Sequence, residues 1–243
     1  MLLPFGAATF ALTVVQAACV AFPKRAPPPW LARLRGRAWA LVAPASIVVV
    51  IGAIAAAREV ADGLSWLALV GVPPLAAIAL GRAAPLAAGL LAVAWAAKGT
   101  LSGDIAAVAL TALSCVTLGW LLAAVTPPPA LKAGIVVMAA IDAYLVFTDL
   151  LQGPNATLIA AAPPAGLPQL QFAGLGGASL GYGDLFVAGV FGAVLAAERR
   201  RQLPAAALVL VLATLFDLLF WVVHELPATV PVAVALLLCE VRR

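Results

Sequence analysis

Nine apolar runs, most of them about as long as a bilayer is thick, leave this chain few ways to fold. They fall at roughly 5–22, 38–57, 64–80, 84–97, 105–125, 133–151, 178–197, 205–223 and 226–241. A spanning helix needs roughly 17–25 mostly apolar residues. Lipid offers no partner for backbone N–H and C=O groups, so such runs must close their hydrogen bonds internally, as helices. Of the 243 residues, 65% are apolar and 10% are charged, against about 25% charged in an ordinary soluble domain. So few charges cannot cover a water-exposed surface, which excludes a cytosolic enzyme and a disordered tail. The net charge of +4 is too small and too scattered for a nucleic-acid footprint, so no nucleic-acid partner is expected. The expected fold class is all-α, a polytopic membrane bundle of about nine transmembrane helices whose surroundings are the lipid bilayer. The fourth and ninth runs are short for full crossings, and Pro73-Pro74 should kink the third.

Positive charge sets the orientation. Lys24, Arg25, Arg33, Arg35, Arg37, Arg82, Lys132, Arg199, Arg200, Arg201, Arg242 and Arg243 fall on alternate connections of one side, whereas only Arg58 and Lys98 fall on the other. The N-terminus is therefore expected outside and the C-terminus in the cytoplasm. The first run lacks a basic n-region and a clear cleavage site, and reads as a retained span. The Ala-, Pro- and Arg-rich composition suits a prokaryotic cytoplasmic membrane protein.

Cys19, Cys115 and Cys239 lie in different apolar runs without metal-ligand spacing, and read as small buried hydrophobes. Asn155-Ala156-Thr157 is a formal glycosylation sequon that carries little weight in a prokaryotic chain. The uncharged, Gly- and Pro-rich stretch 152–177 reads as a long loop that could lie along the membrane surface.

The ten acids divide into two groups. Glu59, Asp62, Asp104, Glu198, Glu225 and Glu240 sit near expected helix ends, where solvated interface charges are ordinary. Asp142, Asp149, Asp184 and Asp217 fall within apolar runs. A carboxylate at mid-bilayer costs about 2.5–3.5 kcal/mol on insertion scales, and such residues usually face the bundle interior and mark a functional path. Asp142 lies nine residues before the outer end of its run, roughly 13 Å deep, and Asp184 six residues into the next, roughly 9 Å deep. Consecutive antiparallel helices would let the two carboxyls face each other. Two close carboxyls in a low dielectric share one proton, and the pair can then act as base and acid in a hydrolysis.

Gly181-Tyr182-Gly183 immediately precedes Asp184, and Gly189 and Gly192 extend a small-residue face suited to tight helix contact. Asp149 and Asp217 read as structural or hydrated acids, Asp217 with a possible influence on the pair's protonation. His224, the only histidine, reads as an interface residue. One histidine makes no metal site, and no metal or cofactor is expected.

Together these residues resemble the presenilin and signal-peptide-peptidase family of intramembrane aspartyl proteases. Ile141-Asp142-Ala143-Tyr144-Leu145-Val146-Phe147 is similar to the family's Tyr-Asp run in its sixth helix. Leu180-Gly181-Tyr182-Gly183-Asp184, with Gly189 beyond it, is similar to its Gly-x-Gly-Asp segment in the seventh. Leu226-Pro227-Ala228-Thr229 resembles the Pro-Ala-Leu element before the ninth. The resemblance covers residues 133–241, and the earlier runs match by topology alone. It implies a scaffold over 1–132 and a catalytic core over 133–243. It makes Asp142 and Asp184 the catalytic pair, and Gly181, Tyr182, Gly183, Tyr144, Pro227, Ala228 and Thr229 the residues that shape the site. The expected orientation resembles signal peptide peptidases, implying type II spans or remnant signal peptides as substrates. An unwound substrate would then pair with backbone near 171–181 or Pro227. Ile141 stands where the family has tyrosine and Thr229 where it has leucine. The segment between the two helices is short and uncharged, so no obligatory accessory subunit is expected.

Three other readings compete. A proton-coupled transporter or channel also uses intramembrane acids, although no internal repeat is visible. A prepilin-peptidase-like enzyme shares the Gly-x-Gly-Asp motif but not the Pro-Ala element. An inactive relative could serve as a membrane chaperone.

Overall fold

The computed structural model describes residues 6–22, 29–223 and 225–241. Lys24, Arg25, His224, Arg242 and Arg243 lie outside the described residues. The described chain is mostly helical and carries one β-hairpin. Its helices are α1 (Ala7–Ala21), α2 (Val42–Ala56), α3 (Glu59–Leu80), α4 (Pro85–Ala96), α5 (Leu101–Val125), α6 (Pro128–Phe147), α7 (Gln152–Ala160), α8 (Tyr182–Ala197), α9 (Gln202–Asp217) and α10 (Thr229–Val241). Local signals explain several starts. Pro85 and Pro128 occupy first turns, where a missing N–H costs nothing. Thr100 caps α5 by accepting the Gly103 N–H at 3.3 Å. Helix α3 continues through Pro73 and Pro74.

Five helical stretches are long and apolar enough to cross a membrane: Arg37–Ala56, Glu59–Ala83, Leu101–Val125, Pro128–Phe147 and Gln202–Trp221. Four shorter apolar helices, α1, α4, α8 and α10, account for the remaining apolar runs. The exterior carries many large apolar side chains, among them Trp30, Trp66, Trp95, Phe147 and Leu203. This arrangement is compatible with an integral membrane protein.

Three sequence expectations need correction. Residues 178–181 are not helical: Phe172–Leu175 (β1) pairs antiparallel with Ala178–Gly181 (β2), in register Phe172↔Gly181 to Leu175↔Ala178. The turn between them is Gly176-Gly177, both at positive φ (54° and 89°), the conformation that two-residue hairpin turns demand. The stretch 152–177 likewise holds α7 and β1 rather than a plain loop. Helix α6 also ends earlier, at Phe147. Asp149 adopts φ 55°, and its N–H and that of Leu150 reach back to Val146 (3.2 Å) and Leu145 (3.1 Å). That is the Schellman way of closing a helix, and aspartate is one of the few side chains that tolerate it.

Helix α8 is the hub. Every residue from 185 to 195 is buried, as expected of a helix that is apolar on all sides. Its glycines permit this. A Cβ on Gly189 would lie 2.8 Å from the Cys115 carbonyl oxygen of α5, and one on Gly119 2.5 Å from the Gly189 carbonyl carbon. A Cβ on Gly192 would collide with the Val20 carbonyl of α1. The small-residue face read in the sequence thus serves two contacts, with α5 and with α1. The largest buried cluster draws on α1, α2, α5, α6, α8, α9 and α10 together, so residues on both sides of position 132 share one core.

Candidate active site

Asp142 lies on α6, five residues before its last residue Phe147, and is buried (4% exposed). The Thr229 hydroxyl, at the first residue of α10, donates to Asp142 Oδ2 at 2.6 Å. Thr229 is itself 1% exposed, so the bond is made away from bulk water, where leaving an acceptor unpaired is costly. Asp184 lies in the first turn of α8, where its Oδ2 accepts the Gly181 N–H at 3.0 Å. This hydrogen bond satisfies a backbone donor that the helix start leaves free. It also explains Gly181, because a Cβ there would lie 2.8 Å from the same carboxylate oxygen.

The two helices meet at this point. One turn before Asp142, Met138 packs on Gly183, where a Cβ would come within 3.2 Å of the Met138 Cε. Asp142 and Met138, four residues apart, share a face of α6, and Gly183 adjoins Asp184. In each carboxyl, Oδ2 is engaged in a hydrogen bond.

Neighbouring residues fix the frame. The Tyr182 hydroxyl shares a hydrogen bond of 2.8 Å with Ser114 of α5, and the Cys115 thiol donates to the Tyr182 carbonyl at 3.6 Å. Tyr182 thus ties the start of α8 to α5. Gln16 of α1, 2% exposed, donates to the Ala228 carbonyl at 2.9 Å, holding the Pro227-Ala228 segment one residue from Thr229. Tyr144 is not brought to the pair. It is 62% exposed, as expected two residues (about 200°) around the helix from Asp142.

The other acids have separate surroundings. Asp149 is exposed and accepts from the Gln152 amide at 3.1 Å. Asp217 is the last residue of α9, and the Thr13 hydroxyl of α1 donates to it at 2.7 Å. Asp104 accepts the Gly176 N–H at 3.3 Å, tying the hairpin turn to α5. Glu198 and Glu240 are not merely solvated. Lys132 of α6 bridges Glu198 (2.6 Å) and Glu240 (3.0 Å), and Arg200 reaches Glu240 (2.5 Å) and Glu198 (3.7 Å). This network joins the far ends of α6, α8 and α10, the three helices that carry Asp142, Asp184 and Thr229.

Sequence reasoning missed Gln16, Thr13 and Ser114. The available signal was faint: polar side chains inside apolar helices, whose partners lie far along the chain. Among the described residues, no three His, Cys, Asp or Glu side chains converge in a way that could hold a metal ion. In comparisons with protein-family models, known proteins and solved structures, the chain matches none.

Proposed function

We propose that this chain is an intramembrane aspartyl protease that hydrolyses peptide bonds within transmembrane segments. The observation that carries the reading is that Asp142 and Asp184 both lie at the α6–α8 contact, each carboxyl held through its Oδ2. In the proposed reaction the ionised carboxyl takes a proton from water while the protonated one gives its proton to the scissile carbonyl oxygen. The resulting gem-diol collapses, the C–N bond breaks and the departing nitrogen takes up a proton. One shared proton suffices for a complete cycle.

A helical substrate has its carbonyls tied up in internal hydrogen bonds, so the scissile segment must unwind. The hairpin 172–181 leads directly into Asp184, and its outer edge offers backbone groups to an extended segment. On this reading nine helices cross the bilayer, the N-terminus lies outside, and the substrates are type II spans or remnant signal peptides. No accessory subunit takes part.

The test is cleavage of a panel of type I and type II spans by the purified protein. Type II spans are expected to be cut, with activity lost in Asp142→Asn and in Asp184→Asn. Intact cleavage in both variants, or proton flux that depends on these aspartates without any cleavage, contradicts the proposal.

A further inference from the structure

A groove of about 500 Å³ runs along the outside of the bundle between α9 and α10. Pro204, Ala207, Leu208 and Val211 of α9 form one wall, Leu238 and Cys239 of α10 the other, and Arg200 and Arg201 stand at its mouth. From Arg201 to Val211 the wall is about 15 Å long at 1.5 Å per residue. A groove of this length and volume has room for an extended hydrocarbon chain.

The mouth is charged in a particular way. Lys132 and Arg200 are committed to Glu198 and Glu240, and these four charges cancel. Arg199 and Arg201 are exposed and form no ion pair with the described residues. Their unbalanced charge of +2 sits where the apolar wall ends. Arg199 also adopts φ 56°, with the Arg199 N–H on Ala196 (3.0 Å) and the Arg200 N–H on Leu195 (2.8 Å). Glycine usually takes this closing position of a helix. An arginine there sets a second exposed cation two residues from Arg201.

We infer that this groove binds an anionic phospholipid, one acyl chain lying between α9 and α10 and the headgroup phosphate on Arg201 and Arg199. The positive-inside reading puts this end at the cytoplasmic leaflet, which is the anionic one. The inference is independent of the proteolytic reading, since none of these residues touches Asp142 or Asp184.

The test is native mass spectrometry of the full chain from micelles doped with phosphatidylglycerol or with phosphatidylcholine of the same chains. Retention of phosphatidylglycerol over phosphatidylcholine is expected. Arg201→Gln, and Arg199→Asn (a residue that accepts the same backbone conformation), should each weaken phosphatidylglycerol about fivefold. Ala207→Trp, which fills the groove and keeps both arginines, should displace it as well. Equal retention of the two lipids overturns the inference, as does unchanged binding in the arginine variants. Competition by inorganic phosphate as strong as by the lipid would reveal an anion site without a chain and also overturn it.

Discussion

At the residue scale, Thr229 is the side chain with the most direct hold on the proposed pair. Thr229→Val keeps its shape but removes the donor to Asp142 Oδ2. It should destabilise the fold by about 1–3 kcal/mol and lower turnover at least tenfold, while Thr229→Ser restores both. Turnover unaffected in the valine variant, measured with a cleavable span, would remove Thr229 from the site. Gly181→Ala should act differently. Its new Cβ displaces the Asp184 carboxylate, so activity should fall while the melting temperature changes little. Glu225, between α9 and α10, supplies a pH signature. Burial, and then the nearby charge of Asp149, push its carboxyl above the ordinary value of 4.5. The folded state therefore holds this proton to higher pH than the unfolded state. Its contribution to stability is fullest below the unfolded value and is lost as pH rises through the folded one. Glu225→Gln should raise the melting temperature at neutral pH and leave it unchanged at pH below 4. A lower melting temperature at neutral pH would contradict this.

At the scale of elements, α8 determines whether the pair can form. Its start is fixed by the hairpin and Tyr182, and its length by glycine contacts with α5 and α1. Gly189→Val should cost several kcal/mol, because the new side chain meets α5 backbone rather than a movable side chain. Thermal melting in detergent is the measure, and a variant as stable as the parent would refute the packing. These glycines, and the acids inside apolar runs, were legible in the sequence because each breaks a local pattern. The hairpin was less legible. Gly176-Gly177 is a recognisable turn signal, but its second strand, Ala178-Ser179-Leu180-Gly181, merges into the apolar run that follows. A continuous run does not separate a short strand from a helix start. The early end of α6 was hidden for a related reason. The run continues through Leu150 and Leu151, and only the backbone conformation of Asp149 stops the helix.

At the scale of the whole molecule, two sets of contacts draw distant segments onto the proposed site. Helix α1 lies farthest from the pair in sequence, yet it holds Ala228 through Gln16 and Asp217 through Thr13. At the opposite end of the bundle, Lys132, Glu198, Arg200 and Glu240 fasten α6, α8 and α10 together. Such long-range pairings leave no periodic trace in a sequence, so Gln16 reads there as one polar residue in an apolar helix, and Glu198 and Glu240 as interface charges. The central claim is that Asp142 and Asp184 act as one unit, and groups that act as a unit show non-additive losses when removed. The most direct test compares cleavage of one type II span by the parent, Asp142→Asn, Asp184→Asn and the double variant, each verified as folded. All three variants should be inactive to the same degree. Either single variant cutting at the parent rate would contradict the claim.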